Sequence, residues 1–140
     1  MNKVKTALCV LALAMGVPAL AHHSFAGYDM AKTVTAKAVL KEFRWGAPHS
    51  TAVFTVKGPD GKDVDMTIAS ATPAMFVKQG FAPRDFKVGE EMEVAWHPAR
   101  NGNLGGALAA ITLANGRTFK DIEFQAVSTQ EAGGQAANAK

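Results

Sequence analysis

Val34-Thr35-Ala36-Lys37-Ala38-Val39-Leu40-Lys41-Glu42-Phe43-Arg44-Trp45 alternates and then changes phase. Val34, Ala36, Ala38 and Leu40 fall on one face of a strand of period two, with Thr35, Lys37 and Val39 on the other. Past Leu40 the apolar face is continued by Phe43 and Trp45, one residue out of step. A one-residue slip marks a bulge or bend. A long, bent first strand suits a small closed barrel, in which it must pair with both sheets.

Working outward, Gly46-Ala47-Pro48 interrupts the strand, and Ser50 to Lys57 resumes with Ala52, Phe54 and Val56 on one face. Pro59-Asp60-Gly61 is a turn: proline presets φ and glycine accepts positive φ. Val64, Met66 and Ile68 alternate with Asp63, Asp65 and Thr67 in a third strand. A short helix follows, with Thr72 as N-cap, Pro73 at the first position and Gly80 at the C-terminus. Met75, Phe76 and Gln79 are its residues expected to face the barrel. Val88-Gly89 opens a fourth strand, in which Met92, Val94 and Trp96 alternate against Glu91, Glu93 and Ala95. Asn101 to Asn103 with Gly105-Gly106 reads as a loop, and Ala107, Ala109, Ile111 and Leu113 as one face of a fifth strand. Asn115-Gly116 is a hairpin signal, and Arg117 to Phe119 returns from it.

Three strands, a short helix, two strands and a hairpin is the element order of an OB-fold. The expected fold is therefore all-β with one short helix, a small OB-like antiparallel Greek-key barrel over residues 34–124; another small antiparallel barrel or sandwich is the alternative. Phe54, Val56, Ile68, Val94, Trp96 and Ile111 are the expected core.

The N-terminus follows a different logic. Lys3 and Lys5 precede an uncharged, mostly apolar run from Thr6 to Val17, Pro18 breaks it, and Ala19-Leu20-Ala21 supplies small residues. That is the order of a cleavable signal peptide, and the run is too short to cross roughly 30 Å of hydrocarbon. Residues 1–21 are thus expected to be removed, leaving a periplasmic or secreted protein without a membrane anchor. Residues 22–33 form an arm, and residues 125–140, rich in Gln, Ala, Gly and Asn, read as a disordered tail.

Cleavage changes the composition that matters. Of 140 residues, 119 remain, and loss of two lysines brings the net charge from +3 to about +1. Acids and bases are interspersed, so the concentrated basic face of a nucleic-acid binder is missing. Cys9, the single cysteine, leaves with the signal. The mature chain has no disulfide and no thiolate chemistry.

Four histidines remain: His22, His23, His49 and His97. Cleavage after Ala21 makes His22 the first residue, where its amine and its ring chelate one metal together. The amine, with an ordinary pKa of about 7.7–8.0, yields its proton to a competing metal, and a planar set of nitrogens favours copper(II). The pairing of His22 with one further histidine resembles the histidine brace of lytic polysaccharide monooxygenases and of some periplasmic copper carriers. The opposing reading has His49, after Pro48, and His97, before Pro98, as loop histidines bonded to carbonyls. On a strand, His22 and His23 would point to opposite sides. Met30, Met66, Met75 and Met92 offer soft ligands for copper(I), but Met66 and Met92 fall on core faces.

The chain as a whole resembles a family of small, uncharacterised secreted proteobacterial proteins. The resemblance rests on Ala21 to Phe25 (Ala-His-His-Ser-Phe), Trp45 to His49 (Trp-x-x-Pro-His), Thr72-Pro73, Gly89 to Val94, and Trp96 to Ala99. Gly46 and Ala47 depart from the family's usual pattern, which has asparagine at the second of these positions. The resemblance implies a domain of unknown function, and it sets His22, His23, His49 and His97 among the recurring motif positions.

Enzyme motifs are missing: there is no Gly-x-Ser-x-Gly elbow, phosphate loop or dinucleotide fingerprint. Asp63, Asp65, Glu91 and Glu93 alternate on outward strand faces, unlike an acid–base pair beside an apolar pocket. Two functional readings stand. One is a non-enzymatic carrier or buffer holding copper through His22, with His23, His49 or His97. The other is an OB-like module binding a small molecule or oligosaccharide, or a structural protein without metal. Phe43, Arg44 and Trp45 are a possible stacking edge for the second, although the two rings share the core face.

Overall fold

The computed structural model describes residues 25–122. The expected signal segment, His22, His23 and the tail at residues 125–140 lie outside the described residues. The long first strand, β1 (Val34–Arg44), organises the rest. Its first half pairs antiparallel with β4 (Glu91–Pro98) and its second half with β2 (Thr51–Lys57). The register slips between Leu40 and Glu42, at the phase change in the sequence. Lys41 is thereby left exposed while Leu40 is fully buried.

A turn in which Gly61, at φ 77°, donates to Gly58 joins β2 to β3 (Asp63–Ala69). The sheet order is β3-β2-β1-β4-β5-β6, where β5 is Gly105–Thr112 and β6 Thr118–Lys120. A further parallel pairing of β3 with β5 closes five strands into a barrel. The fold is thus a small all-β barrel with one short helix, and the parallel seam is its one departure from antiparallel pairing. Gly105 makes that seam: it sits at φ +109°, and a Cβ there would stand 2.1 Å from the carbonyl oxygen of Thr67. Gly105 and Gly106, expected in the loop, open β5 instead, because only bare backbone allows so close an approach.

Phe54, Ile68, Val94 and Ile111 are fully buried, and Val56 and Trp96 nearly so. The expected core face of β5 is corrected at one point. Trp96 pairs with Leu108 and Ala95 with Ala110, so Ala109 is skipped. Leu108, with the larger apolar volume, turns into the barrel, while Ala107 lies outside the main core. Helix α1 (Pro73–Lys78) closes one end. Phe76 stacks on Phe119 with ring centroids 3.9 Å apart, and Phe43 stacks on Phe86 at 4.4 Å. Thr72 stands at the N-cap and Pro73 follows it, as expected, although Thr72 makes no side-chain cap bond. One helix expectation is corrected. Gln79 does not pack inward: its amide bonds the backbone of Lys120 in both directions, at 2.8 and 3.0 Å, and ties the helix to β6.

Candidate functional site

Residues 25–33 run across the outside of the barrel as a strap over β4 and β5. Tyr28 bridges to Ala99, the Asp29 N–H donates to the Pro98 carbonyl (2.8 Å), and the Arg100 N–H donates to the Gly27 carbonyl (2.8 Å). Asp29 to Lys32 forms a turn closed by a backbone bond of 3.0 Å. Met30 and Ala107 are buried together as a second, small apolar cluster, with Phe25 and Tyr28 packed against it.

His97 lies under this strap. It is the cross-strand partner of Ala107, so both side chains leave β4 and β5 on the outer face. Its residue is only 6% exposed. Nδ1 lies 2.8 Å from the Lys32 carbonyl oxygen. A carbonyl only accepts, so Nδ1 is the donor, and in the neutral ring the lone pair belongs to Nε2. Nε2 is buried and has no hydrogen-bond partner among the described residues. A buried acceptor left unmatched costs about 1–3 kcal/mol. An imidazole fixed through Nδ1–H to a backbone carbonyl, with Nε2 open, is the form in which metal-bound histidines are held.

The structure does not bring His49 to His97. His49 is exposed in the β1–β2 connection. Thr51, two residues on, reaches His97 only through the pairings with Ala69 and Ala107. Those inter-strand steps make roughly 14 Å of sheet. Among the described residues no three His, Cys, Asp or Glu side chains gather as an ion-holding group. A group of three such side chains at His97 would have to draw on residues outside 25–122, where His22 and His23 lie.

The other candidates fall on the structural side. Met66 and Met92 are core residues, 1% exposed, and Met75 packs against the core. Phe43 and Trp45 belong to the aromatic cluster under α1, 5.6 Å apart, and so are not an open stacking edge. Asp63, Asp65 and Glu91 are exposed and paired with Lys57 (2.6 Å), Lys41 and Lys37 (3.2 Å). Lys41 and Thr55 both bond Asp65 and hold its carboxyl below the ordinary range, the opposite of a general acid's shift. Sequence reasoning missed the strap itself. Its signal was Phe25, Tyr28 and Met30, three large apolar side chains within a short arm that would have nowhere else to be buried.

The model of a family of unknown function, DUF6152, matches residues 10–109, most of the chain, which therefore belongs to that family. No curated protein matches it.

Proposed function

We propose that the mature protein is an exported, non-enzymatic copper carrier or buffer, with His97 and the N-terminal His22 as its ligands. The observation that carries the reading is the buried His97 ring, with Nδ1 bonded to Lys32 and Nε2 unmatched. Connectivity supports it. Phe25 packs against the cluster that includes Ala107, His97's cross-strand partner. His22 stands three residues before Phe25, so their Cα atoms are at most roughly 11 Å apart. A free amine, its own ring and His97 Nε2 would make three nitrogens, a set that suits copper(II). His23 is the reserve ligand, since His49 stands in the β1–β2 connection, away from His97.

The test is copper(II) titration of protein exported and processed by the cell, its start at His22 checked by intact mass. It is run beside a version with one extra residue before His22 and beside His97→Asn. The asparagine amide keeps a donor where Nδ1–H meets Lys32 but removes Nε2. Either change should weaken binding at least about a hundredfold, the cost of a lost ligand or its support, with circular dichroism unchanged. Equal affinity in all three, or a mass that retains residues 1–21, sinks the reading.

A further inference from the structure

The strap and the β4–β5 connection enclose a groove on the barrel's outer wall, beside the parallel seam. It has a volume of about 420 Å³, within the range of small-molecule sites. Its walls include Tyr28 from the strap, Thr67 from β3, and Asn101, Asn103 and Leu104 from the connection. Gly105 and Gly106 form a floor of bare backbone, since a Cβ on either would stand about 2 Å from a neighbouring carbonyl oxygen, 2.1 and 1.9 Å respectively.

Among the described residues, none that lines this groove is charged. That sets it apart from the outer face of β1, β2 and β3, where Arg44–Glu42, Lys41–Asp65 and Lys57–Asp63 are ion pairs. The adjacent cation, Arg100, is engaged by the strap: its Nε donates to the Tyr28 carbonyl at 2.9 Å. Barrels of this topology take oligonucleotides or oligosaccharides. An oligonucleotide carries a negative charge per residue and needs a cationic track, which this groove does not offer. A sugar needs hydrogen-bonding side chains of both polarities and an apolar wall for its C–H face. Two amides, a threonine hydroxyl and backbone supply the first. Tyr28, steadied by packing on Met30 and Ala107, and Leu104, 49% exposed, supply the second. Asn101 Oδ1 accepts from the Asn103 N–H at 3.0 Å, which fixes the shape of the connection before any ligand arrives.

We propose that this groove binds an uncharged saccharide, one or two rings at a time. It does so independently of any metal at His97. The experiment is a titration of isotope-labelled protein, kept metal-free with a chelator, followed by amide chemical shifts. The probes are maltose, cellobiose and chitobiose, with digalacturonate and a short oligothymidylate as charged comparators. At least one uncharged disaccharide should saturate, moving the amides of Thr67, Ala69 and residues 99–106 and leaving the turn at residues 58–62 still. Leu104→Glu, which places a charge on the rim without touching the core, should weaken that binding roughly tenfold or more, as should Tyr28→Ala. Shifts centred elsewhere, tighter binding of a charged comparator, an unaffected Leu104→Glu, or no shift with any uncharged sugar would each overturn the assignment. Since no copper is present, failure here leaves the copper reading standing, and failure of the copper titration leaves this one.

Discussion

Beneath the barrel, six rings (Phe43, Trp45, Phe76, Phe81, Phe86 and Phe119) meet in one cluster, each touching at least two others. Outside it, residues 25–33 are held by Met30 against Ala107, by a few backbone bonds and by the Lys32 carbonyl on His97. The first region has redundant contacts, so losing one leaves its neighbours anchored. The second rests on one small apolar cluster and a few backbone bonds, and it covers the unmatched Nε2 of His97. Regions with few buried apolar contacts open at low free-energy cost and are where function resides. The barrel is thus the more densely anchored region, and both proposals rest on the strap, with the histidine and the groove beside it.

The largest effect should come from breaking the rigid side. Ile111 is fully buried between β4 and β6, opposite Val94 and Phe119. Ile111→Asp places an unpaired charge there at a cost of several kcal/mol, comparable with a small domain's whole stability. The variant should show no cooperative melt by circular dichroism. A folded Ile111→Asp with the parent's midpoint would mean that the barrel interior is far looser than its packing.

A smaller, local effect should follow on the other side. Met30→Ala removes the main apolar anchor of the strap, and its cost should sit at or below the low end of the large-to-small range, about 2 kcal/mol, because the strap can settle over the gap. Hydrogen exchange should quicken at residues 28–33 and stay unchanged in β1 and β2. Uniform quickening would make strap and barrel one cooperative unit and abolish the distinction.

Why the barrel was legible and the strap was not has a physical reason. Period-two alternation reports burial on one side of a sheet, and the residues from Val34 to Leu40 and from Met92 to Trp96 carry it openly. The bend past Leu40 was visible because Phe43 and Trp45, and not Glu42, continue the apolar face. In β5 a run of Gly and Ala weakened the signal, so the skipped Ala109 that turns Leu108 inward went unseen. The burial of His97 depends on contacts 65 residues away in sequence, with Lys32, and no local pattern encodes that. Turn chemistry was readable at Gly61 and Gly116, both at positive φ, whereas the parallel seam at Gly105 needed the third dimension.

The smallest effect separates the two regions by acid. Lys41 first, then Thr55, bond Asp65 on the barrel wall, and Lys32 bonds Asp29 in the strap; each carboxyl is held below its ordinary value by those partners. A carboxyl depressed in the folded state binds fewer protons there than in the unfolded chain. Its contribution is therefore complete above the unfolded value, about 3.9, and fades as the pH falls through the folded value. Neither pair should make stability vary with pH near neutrality, where both contributions are complete, and both should fade below about pH 4. Both are surface pairs, so the changes will be slight and will shrink in salt. Lys41→Met should flatten the acid limb of the global melting curve, because Asp65 belongs to β3 and is lost only when the barrel opens. Lys32→Met should leave that limb alone and flatten only the acid dependence of strap exchange at residues 28–33. If Lys32→Met also moves the global limb, the strap unfolds with the barrel rather than before it.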